Sequence, residues 1–585
     1  MAVFVSPPGF VLLHCAEPDL APRDALEAAL VKAGWRPWGG TRNCRLLLSP
    51  GGAMPMQSLG PSGILVGRYY GRSLSTFSEP GEKRAKALLR EGWGGYVAFW
   101  EDGMRLQALR DPSGAIDLLT WAIGPVTIMA SDMPLETDCL LPPAAAIDWA
   151  HLARVLDRTG ASSHGVGVTG ITAVAGGDLA SVGPEGLSIH PLWRPADFAR
   201  MQRSANTQAL RRVVDGVVAW LMSDHTRAVG EVSGGFDSAV VAATTASEAG
   251  HCSVRWINYR ARERESDESP WVEALKRKAG LDIDIRFKSV NPVRLDDLAD
   301  LARGLRPGLY GLDIDYDGDI AQAMSSFGAT ALLTGQGGDA VFFNAGTPAL
   351  AIDRVRRAGL LGLTPAFLYR TARWTRRSVW SIVETAWRDL VGLAPRRRED
   401  DDPDRPPGPD VHPWLNGLGS IPPAKQDQIR QLVNCQVFWS PCQRATVGEI
   451  LHPLLTQPVM EHTLAIPADL LTRGGRGRAL AREAFRDRLP VALLERRGKG
   501  ELSTHYGQVV LESLPQLRQL LIDGKLMTRG LIGRDETEAL LDPDVLIVSG
   551  DYNVALVRAL LELWVQTWSA RLARSQEDPG IPGGG

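Results

Sequence analysis

The segment EVSGGFDSAVVAA, residues 231–243, constrains the fold more than any other stretch of the chain. Two glycines and two serines surround one carboxylate, Asp237, between the apolar segment Ala228–Val232 and a helix-like run from Ala239 onward. A strand, a glycine turn and a helix in this order begin a βαβ unit. Such a turn can cradle a phosphate, supply a metal ligand or simply reverse the chain.

The residue types in this turn favour a metal-bound polyphosphate. The N–H groups in the first turn of a helix have no intrahelical partner, and the helix dipole attracts anions there. Asp237 would repel a phosphate unless a cation lay between them, so we expect Mg²⁺. The Walker A pattern G-x₄-G-K-[ST] is absent, and a plain turn has no need of these residues. We therefore predict a pyrophosphate-binding loop formed by Ser233, Gly234, Gly235, Asp237 and Ser238.

Composition excludes several classes of protein. At about 150 residues per domain, 585 residues suggest two to four domains. The net charge of −3 gives no sign of a nucleic-acid partner, which requires a basic excess. No apolar run approaches the roughly 20 residues of a membrane span, and the first residues lack the basic region of a signal peptide. The six cysteines have no metal-type spacing, and we predict a reduced, cytoplasmic protein.

Two domains are predicted from the change in sequence pattern. Residues 1–195 contain short apolar or alternating segments such as GILVGRYY, GYVAFW and DLASV, which indicate a β-rich domain. Residues 206–570 begin with the helical pattern TQALRRVVDGVVAWLMS and then alternate strands with helices, which indicates an α/β domain with a parallel sheet. Residues 394–410, rich in proline and charge, are predicted to be a flexible loop, and residues 571–585 a disordered tail.

Two further features of the sequence need interpretation. Gly165, Gly167 and Gly170 spell GxGxxG, but a strand pattern follows where dinucleotide binding requires a helix, so we assign a loop. The helical insertion 354–390 carries many arginines together with Trp374, Trp380 and Trp387. It is interpreted as a hairpin packed on the core, as a docking surface for a partner protein or peptide, or, with less support, as a membrane-surface helix.

Several motifs together resemble one family of enzymes. SGGFDS resembles the SGGxDS loop of the ATP pyrophosphatase superfamily, and LLTGQGGDAVFF, SDES (residues 266–269), HPLLTQPVMEHTLAIP and LPVALLERRGKGELS resemble motifs of its asparagine synthetase branch. GGYVAFWEDGMRLQALRDPSG resembles the β-rich glutaminase domain of the same enzymes. The resemblance implies an Ntn-glutaminase-like sandwich followed by a doubly wound parallel sheet with helical additions.

The resemblance also implies ligands and roles for individual residues. ATP would be bound with Mg²⁺ held by Asp237 and Asp339, and Lys499 would stabilise the oxyanion or the departing AMP. The nucleotide would lie along Ile257, Gly335 and Gln336, with adenine near the first two.

The chain departs from this family at its first residues. A glutaminase of this type needs an N-terminal cysteine, but Ala2 and Val3 follow Met1. Cys15 comes later, inside a strand-like segment, and is interpreted as a buried structural cysteine. We therefore predict that the glutaminase-like domain is inactive and that ammonia is not drawn from glutamine.

The size, the insertion and GQGGDAVFF most resemble the lasso peptide cyclases, the macrolactam synthetases of this superfamily. Asparagine synthetases place Glu, and β-lactam synthetases Tyr, at the position of Gln336. A peptide α-amine has a pKa of about 7.7–8.0, so its attack needs less help from a base than attack by an amide nitrogen. This position therefore favours macrolactam formation.

The resemblance predicts adenylation of an Asp or Glu side chain of a precursor peptide and closure on its N-terminal amine. The expected partners are the precursor peptide, a leader peptidase and a leader-binding protein. The alternatives are an asparagine synthetase, a β-lactam synthetase or a non-catalytic nucleotide-binding scaffold.

Overall fold

The structure is a computed structural model. It describes residues 8–17, 19–52, 54–60, 63–261, 267–393, 411–473, 475–496, 498, 503–549 and 551–577.

Two six-stranded antiparallel sheets form the N-terminal domain. One has the order β10-β8-β9-β1-β3-β2 and the other the order β12-β11-β7-β6-β5-β4. The strands are β1 (Phe10–His14), β2 (Arg36–Gly40), β3 (Cys44–Leu48), β4 (Met56–Ser58), β5 (Gly63–Gly71), β6 (Gly92–Asp102), β7 (Arg105–Arg110), β8 (Leu119–Ile123), β9 (Val126–Ala130), β10 (Thr172–Ala173), β11 (Asp178–Gly183) and β12 (Gly186–Pro191). The helices are α1 (Ala21–Lys32), α2 (Gly81–Glu91) and α3 (Trp149–Asp157).

The two sheets pack face to face, as the alternating strand patterns predict. Phe10 and Leu12 of β1 share one apolar cluster with Val97 and Phe99 of β6. The rings of Phe10 and Phe99 meet edge to face at 5.5 Å. Because side chains alternate along a strand, every second residue of these strands points between the sheets. The sequence-based expectation of a β-rich sandwich is confirmed.

A five-stranded parallel sheet forms the centre of the second domain. Its strands are β13 (Arg227–Glu231), β14 (Ser253–Arg260), β15 (Ile283–Phe287), β16 (Ala331–Leu333) and β17 (Glu449–Leu451). Their order is β15-β14-β13-β16-β17, and every neighbouring pair is parallel. The direction of winding therefore reverses between β13 and β16, which is where ligands bind in open α/β sheets.

Helices cover both faces of this sheet, which confirms the doubly wound prediction. Val229 and Leu332 pack against Ile320 on one face, whereas Ala228 lies on the other face in the cluster that contains Val240. The helices are α4 (Pro195–Ala199), α5 (Thr207–Ser223), α6 (Phe236–Glu248), α7 (Ser269–Ala279), α8 (Leu295–Asp300), α9 (Ile314–Phe327), α10 (Gly338–Val341), α11 (Ala349–Ala358), α12 (Pro365–Thr375), α13 (Val379–Leu390), α14 (Pro423–Cys435), α15 (Gln457–Leu464), α16 (Ala468–Leu471), α17 (Ala479–Ala484), α18 (Val491–Glu495), α19 (Ser503–Glu512), α20 (Leu514–Ile522), α21 (Lys525–Thr528), α22 (Arg534–Leu540), α23 (Pro543–Ser549) and α24 (Tyr552–Glu577).

The two domains share buried surface. One apolar cluster joins β1, β8, β9 and α3 of the first domain to α8 and α24 of the second. Arg306 donates to the Asp117 carboxylate and, at 2.6 Å each, to the carbonyl oxygens of Ser162 and Gly165. Arg571 of α24 donates to Asp138 at 2.6 Å. The interface is thus built from both an apolar core and ion pairs.

Several smaller expectations can be compared with the structure. Residues 165–170 lie in a loop, as assigned. Cys15 is fully buried, and all six cysteines are free. The predicted tail is corrected, because α24 continues to Glu577 and residues 571–577 are therefore helical. Residues 578–585 and the predicted loop 394–410 lie outside the described residues.

The insertion forms helices α11, α12 and α13, which pack partly on the core through buried residues such as Ile382. Trp374 lies against the core, but Trp380 is 80% exposed and Trp387 is 59% exposed. The hairpin interpretation and the docking interpretation are therefore compatible. Among the described residues, no helix is long and apolar enough to cross a membrane.

Candidate active site

Two glycine turns meet at the carboxyl ends of β13 and β16. Residues 232–235 lead from β13 into α6, and residues 334–337 lead from β16 into α10. The two strands are adjacent and parallel, with Gly230 opposite Leu333. Because parallel strands end at the same edge of a sheet, both turns and the carboxylates that follow them face one crevice.

Asp237 and Asp339 converge on a single nitrogen of Arg478. The Nη2 atom of Arg478 donates to Asp237 Oδ2 at 2.6 Å and also to Asp339 Oδ1. The Asp237 side chain is largely buried, whereas that of Asp339 is 65% exposed. The two carboxylates, from separate strand ends, therefore bind the same positive charge.

This pair of carboxylates fits a divalent cation. Two carboxylates at such close range repel each other unless a positive group lies between them. The Arg478 guanidinium meets this need in the structure and marks where a cation would be held. Carboxylate oxygens are the ligands that Mg²⁺ prefers, and Mg²⁺ usually takes one or two of them together with substrate phosphates. Asp237 and Asp339 are thus suited to Mg²⁺.

The absence of side chains at two glycines allows the turns to touch. A Cβ on Gly338 would lie 2.2 Å from Asp237 Cγ, and a Cβ on Gly335 would lie 2.5 Å from the backbone nitrogen of Ser238. Neither distance is possible for real atoms. Glycine at both positions therefore lets the second turn pack directly against the first.

The first turn is organised by its two serines. The Ser233 and Ser238 hydroxyls lie 3.1 Å apart, and Ser238 Oγ accepts the backbone N–H of Ser233 at 3.2 Å. Gly235 caps α6 without a side chain. Ser233 is exposed, whereas Ser238 is buried. The predicted loop residues are brought together, which leaves the Ser233 hydroxyl and helix N–H groups suited to an anion.

An ion pair between Arg496 and Glu268, whose side chains are both nearly buried, supports this turn. Arg496 donates to the Gly234 carbonyl at 2.6 Å and to Glu268 Oε1 at 2.7 Å. Gly234 has φ +69°, which other residues rarely adopt, and a Cβ there would meet Glu268. The Arg496 guanidinium also lies 4.0 Å from the Trp271 ring centroid. Glu268, from the SDES motif, thus acts through Arg496 on the shape of the turn.

A neutral histidine supports the second turn. Thr334 Oγ1 lies 2.6 Å from His452 Nδ1, and His452 Nε2 lies 3.2 Å from the Phe438 carbonyl oxygen. Since a carbonyl can only accept, Nε2 carries the proton and Nδ1 accepts from Thr334. Burial lowers the pKa of His452 to about 3, which keeps the ring neutral. The Thr334 oxygen can then accept the backbone N–H of Gln336 at 3.2 Å.

The remaining predicted residues are Ile257, Gln336 and Lys499. Ile257 lies on β14 with its side chain in the core, and its carbonyl accepts from Val232 N at 2.9 Å. Gln336 lies in the second turn, half-buried. Lys499 lies outside the described residues, so its role stays a prediction.

The sequence analysis missed a group of arginines beside the carboxylates. Arg476, Arg478 and Arg482 approach from the segment before and within α17. Burial, together with Arg476 and Arg478, lowers the pKa of Arg482 to about 10. Arg478 has φ +59° and donates its backbone N–H to Phe343, which has φ +61°. A positive φ at a residue other than glycine costs free energy, and it persists only where surrounding contacts hold the backbone in that conformation. The arginine-rich stretch RGGRGRALAREAFRDR was the available signal.

The fold and site define a class of protein. A doubly wound sheet whose switch point carries two carboxylates and a glycine turn at a helix N-terminus is built to bind a charged ligand with a cation. The sequence profile of the asparagine synthase family matches residues 209–569, and the chain belongs to this family. Membership supports ATP-dependent amide ligase activity in general.

Other comparisons add little. No curated protein matches the chain. Among solved structures, the chain is similar to a glutamine phosphoribosylpyrophosphate amidotransferase from B. subtilis, complexed with ADP and GMP. The sequence identity is 12% and the TM-score 0.19, and the match covers 49% of this chain and 83% of that chain. It is also similar to the allosteric regulatory enzyme of purine biosynthesis, with 12% identity and a TM-score of 0.18 over 49% of this chain and 76% of that one. TM-scores this low carry no inference about the site.

Proposed function

We propose that this protein is an ATP-dependent macrolactam synthetase for a lasso precursor peptide. It adenylates an Asp or Glu side chain of the peptide, joins that carbonyl to the peptide's N-terminal amine, and releases AMP and pyrophosphate. The coarse activity, amide bond formation with ATP, rests on the convergence of Asp237 and Asp339 on one cationic nitrogen.

The choice of a peptide amine as nucleophile rests on Gln336. Its amide cannot take a proton at neutral pH, so the second turn offers no general base at this position. A peptide α-amine has a pKa of about 7.7–8.0 and is partly neutral near pH 7. Such a nucleophile fits a site without a base better than an amide nitrogen would.

In the first step, the peptide carboxylate oxygen attacks the α-phosphorus of ATP. The bond between the α-phosphorus and the bridging oxygen breaks, pyrophosphate leaves, and a mixed anhydride with AMP forms. The turn at Ser233–Ser238 binds the pyrophosphate through its hydroxyls and helix N–H groups. Asp237 and Asp339 would hold Mg²⁺, which would supply positive charge to neutralise the phosphates. We propose that Arg478 then moves from the carboxylates to the phosphates.

In the second step, the N-terminal amine attacks the acyl carbon. The carbon–nitrogen bond forms, the carbon–oxygen bond to AMP breaks, and the amine loses its proton to solvent. Lys499 would stabilise the oxyanion or the departing AMP. Holding amine and acyl carbon together makes the closure effectively unimolecular.

A cavity beside this edge of the sheet supports the proposal of a peptide substrate. It has a volume of about 320 Å³ and lies against Tyr259 of β14, Lys288 after β15, and Asp313 before α9. Lys288 is buried, donates to Asp313, and lies 3.0 Å from the Tyr506 hydroxyl. The cavity has room for several side chains at the carboxyl ends of β14 and β15.

The partners follow from the proposed reaction. A leader peptidase must free the N-terminal amine, and a leader-binding protein would deliver the precursor. The exposed Trp380 and Trp387 of α13 are the surface we propose for these contacts. Because ATP is abundant there, we propose a cytoplasmic location. Replacing both tryptophans by serine should weaken binding of a purified leader peptidase of lasso peptide biosynthesis.

The experiment that tests the proposal uses the purified chain, Mg²⁺, ATP and synthetic peptides that carry a free N-terminal amine and an Asp or Glu side chain as acceptor. We expect one AMP and one pyrophosphate per cyclised peptide, and a product lighter by one water. Asp237→Asn should abolish both AMP release and cyclisation. Ring closure that continues at the wild-type rate in this variant would contradict the mechanism.

Parallel reactions separate the alternatives. Free aspartate with ammonia tests asparagine formation, and a small β-amino acid substrate tests β-lactam closure. Asparagine formed faster than the cyclic peptide would replace the proposal with an asparagine synthetase. Binding of ATP without AMP release in any reaction would indicate a scaffold.

A further inference from the structure

The layer between the two N-terminal sheets is apolar except at one end, where polar side chains point into it. Phe10 and Leu12 of β1 point into this layer, and the next residue on the same face is His14. On β3 the corresponding row is Leu48, Leu46 and Cys44, and on β6 it is Val97, Phe99 and Glu101. Since side chains of one face repeat every two residues, apolar residues are expected at all three end positions.

These three polar residues lie together. His14 and Cys44 are directly opposite each other in the antiparallel pairing of β1 and β3. Cys44 Sγ lies 3.6 Å from Glu101 Oε1, across the layer. One ligand atom from each of the three residues lies within 4.8 Å of the other two. The cluster therefore joins both sheets at a single point.

The burial of this cluster calls for an explanation. His14 is 3% exposed and Cys44 is 5% exposed. The Nε2 atom of His14 is buried and has no hydrogen-bond partner among the described residues. A buried polar atom without a hydrogen-bond partner destabilises the folded state. The nearby guanidinium of Arg23 does not satisfy it, because Arg23 donates to Asp24 and to the Arg42 carbonyl.

We propose that His14, Cys44 and Glu101 bind a divalent metal ion of the zinc type. Imidazole nitrogen, thiolate sulfur and carboxylate oxygen are the three ligand types of protein zinc sites. Three protein ligands leave a fourth tetrahedral position for water or another donor. The ion would fix the end of the sandwich by joining β1, β3 and β6.

This site differs in chemistry from the crevice of the second domain. Asp237 and Asp339 offer only carboxylate oxygens, which suit Mg²⁺, whereas a thiolate and an imidazole select Zn²⁺ or Co²⁺. Binding requires the thiolate form of Cys44, so a proton leaves the thiol as the metal–sulfur bond forms. Each site should therefore bind its own metal ion independently of the other. The zinc-type site does not depend on the proposed cyclase reaction.

The test is metal binding by the full chain. Protein purified without chelator is analysed for metal content, then stripped and titrated with Co²⁺ while the near-ultraviolet thiolate-to-cobalt band is recorded. We expect one ion per chain and displacement of Co²⁺ by Zn²⁺. Cys44→Ala should abolish the band, and His14→Leu, which removes a proposed direct ligand, should weaken Co²⁺ binding by more than about tenfold, the smallest loss expected for a contact that only supports a ligand.

Two further variants distinguish loss of metal binding from loss of folding or from the loss of any buried cysteine. Glu101→Gln preserves the shape of the side chain and removes its charge, so it should fold and still bind Co²⁺ more weakly. Cys252→Ser changes another buried cysteine, in the second domain, and should bind Co²⁺ like the wild type. The proposal is overturned if the wild type shows no thiolate-to-cobalt band, or if Cys44→Ala and Glu101→Gln bind Co²⁺ as the wild type does.

Discussion

The backbone of Gly338 lies directly against the side chain of Asp237. A Cβ on Gly338 would fall 2.2 Å from Asp237 Cγ and 2.5 Å from its Oδ1. The position of the Asp237 carboxylate is thus set by a residue of the opposite turn. Because the contact is with backbone, it fixes the spacing of the two turns as well.

Gly338→Ala should therefore displace Asp237 and reduce ATP-dependent AMP release. A misplacement of about 1 Å can cost about 100-fold in rate, and we expect a loss of that order. Gly216→Ala is the matched control, since a Cβ there would meet nothing within 4 Å in helix α5. Equal activity of the two variants would contradict the role given to this contact.

Arg478→Ala should change how the ligand-free protein binds Mg²⁺. Removing the guanidinium leaves Asp237 and Asp339 facing each other without a cation, so Mg²⁺ should bind the variant more tightly in calorimetry. The KM for ATP should rise if Arg478 contacts the phosphates during the reaction. Arg473→Ala, from the same segment but exposed and paired with Glu483, should leave both quantities unchanged.

Glu268→Gln should destabilise the first turn. It removes the charge that pairs with Arg496, and both side chains are nearly buried. Hydrogen bonds to charged groups contribute about 1.5–3 kcal/mol, and we expect the free energy of unfolding in urea to fall by about that amount. Glu538→Gln breaks an exposed pair with Arg534 and should resemble the wild type. A lower urea midpoint in the control than in Glu268→Gln would refute the argument.

Acid should destabilise the protein through His412. Burial, with smaller effects from His164 and nearby arginines, lowers the pKa of His412 well below its ordinary value, and its Nδ1 accepts the Trp414 backbone N–H at 3.2 Å. Below about pH 6.5 the unfolded chain binds a proton that the folded chain does not. The free energy of unfolding should then fall as pH falls, by up to about 1.4 kcal/mol per pH unit for this residue.

His412→Asn keeps an acceptor but cannot titrate, so the slope of stability against pH should decrease. The exposed His251 supplies the control variant His251→Asn. Denaturant unfolding between pH 5 and pH 7 measures all three proteins. An unchanged slope in His412→Asn would assign the acid sensitivity to other groups.

Ring closure should depend on pH through the substrate. If Gln336 supplies no base, the rate should rise through the amine pKa of about 7.7–8.0, while pyrophosphate release in the first step should not. Gln336→Glu should flatten this rise by adding a base. A wild-type profile that rises near pH 6 instead would indicate an enzyme base and count against the assignment.

Local patterns predicted much of this architecture. The helix Thr207–Ser223 and the turn after β13 follow from apolar periodicity and glycine placement, which depend on neighbouring residues alone. The convergence of Asp237 and Asp339 followed from the rule for parallel strand ends. Arg478 could not be placed this way, because it lies 241 residues from Asp237 and no strand order indicates its approach.

A second difference from the sequence-based predictions also arises from contacts between segments that are far apart in the sequence. The predicted tail proved helical to Glu577 because residues such as Arg571 and Leu572 contact the first domain or its shared core. Contacts between distant segments overrode the local composition of this tail.

The contact between Arg571 and Asp138 spans 433 residues of sequence. During synthesis, the surface around Asp138 therefore stays uncovered until helix α24 leaves the ribosome. The apolar face that β1, β8, β9 and α3 share with α24 is covered only then, and a chaperone that binds apolar surface could contact it before that point.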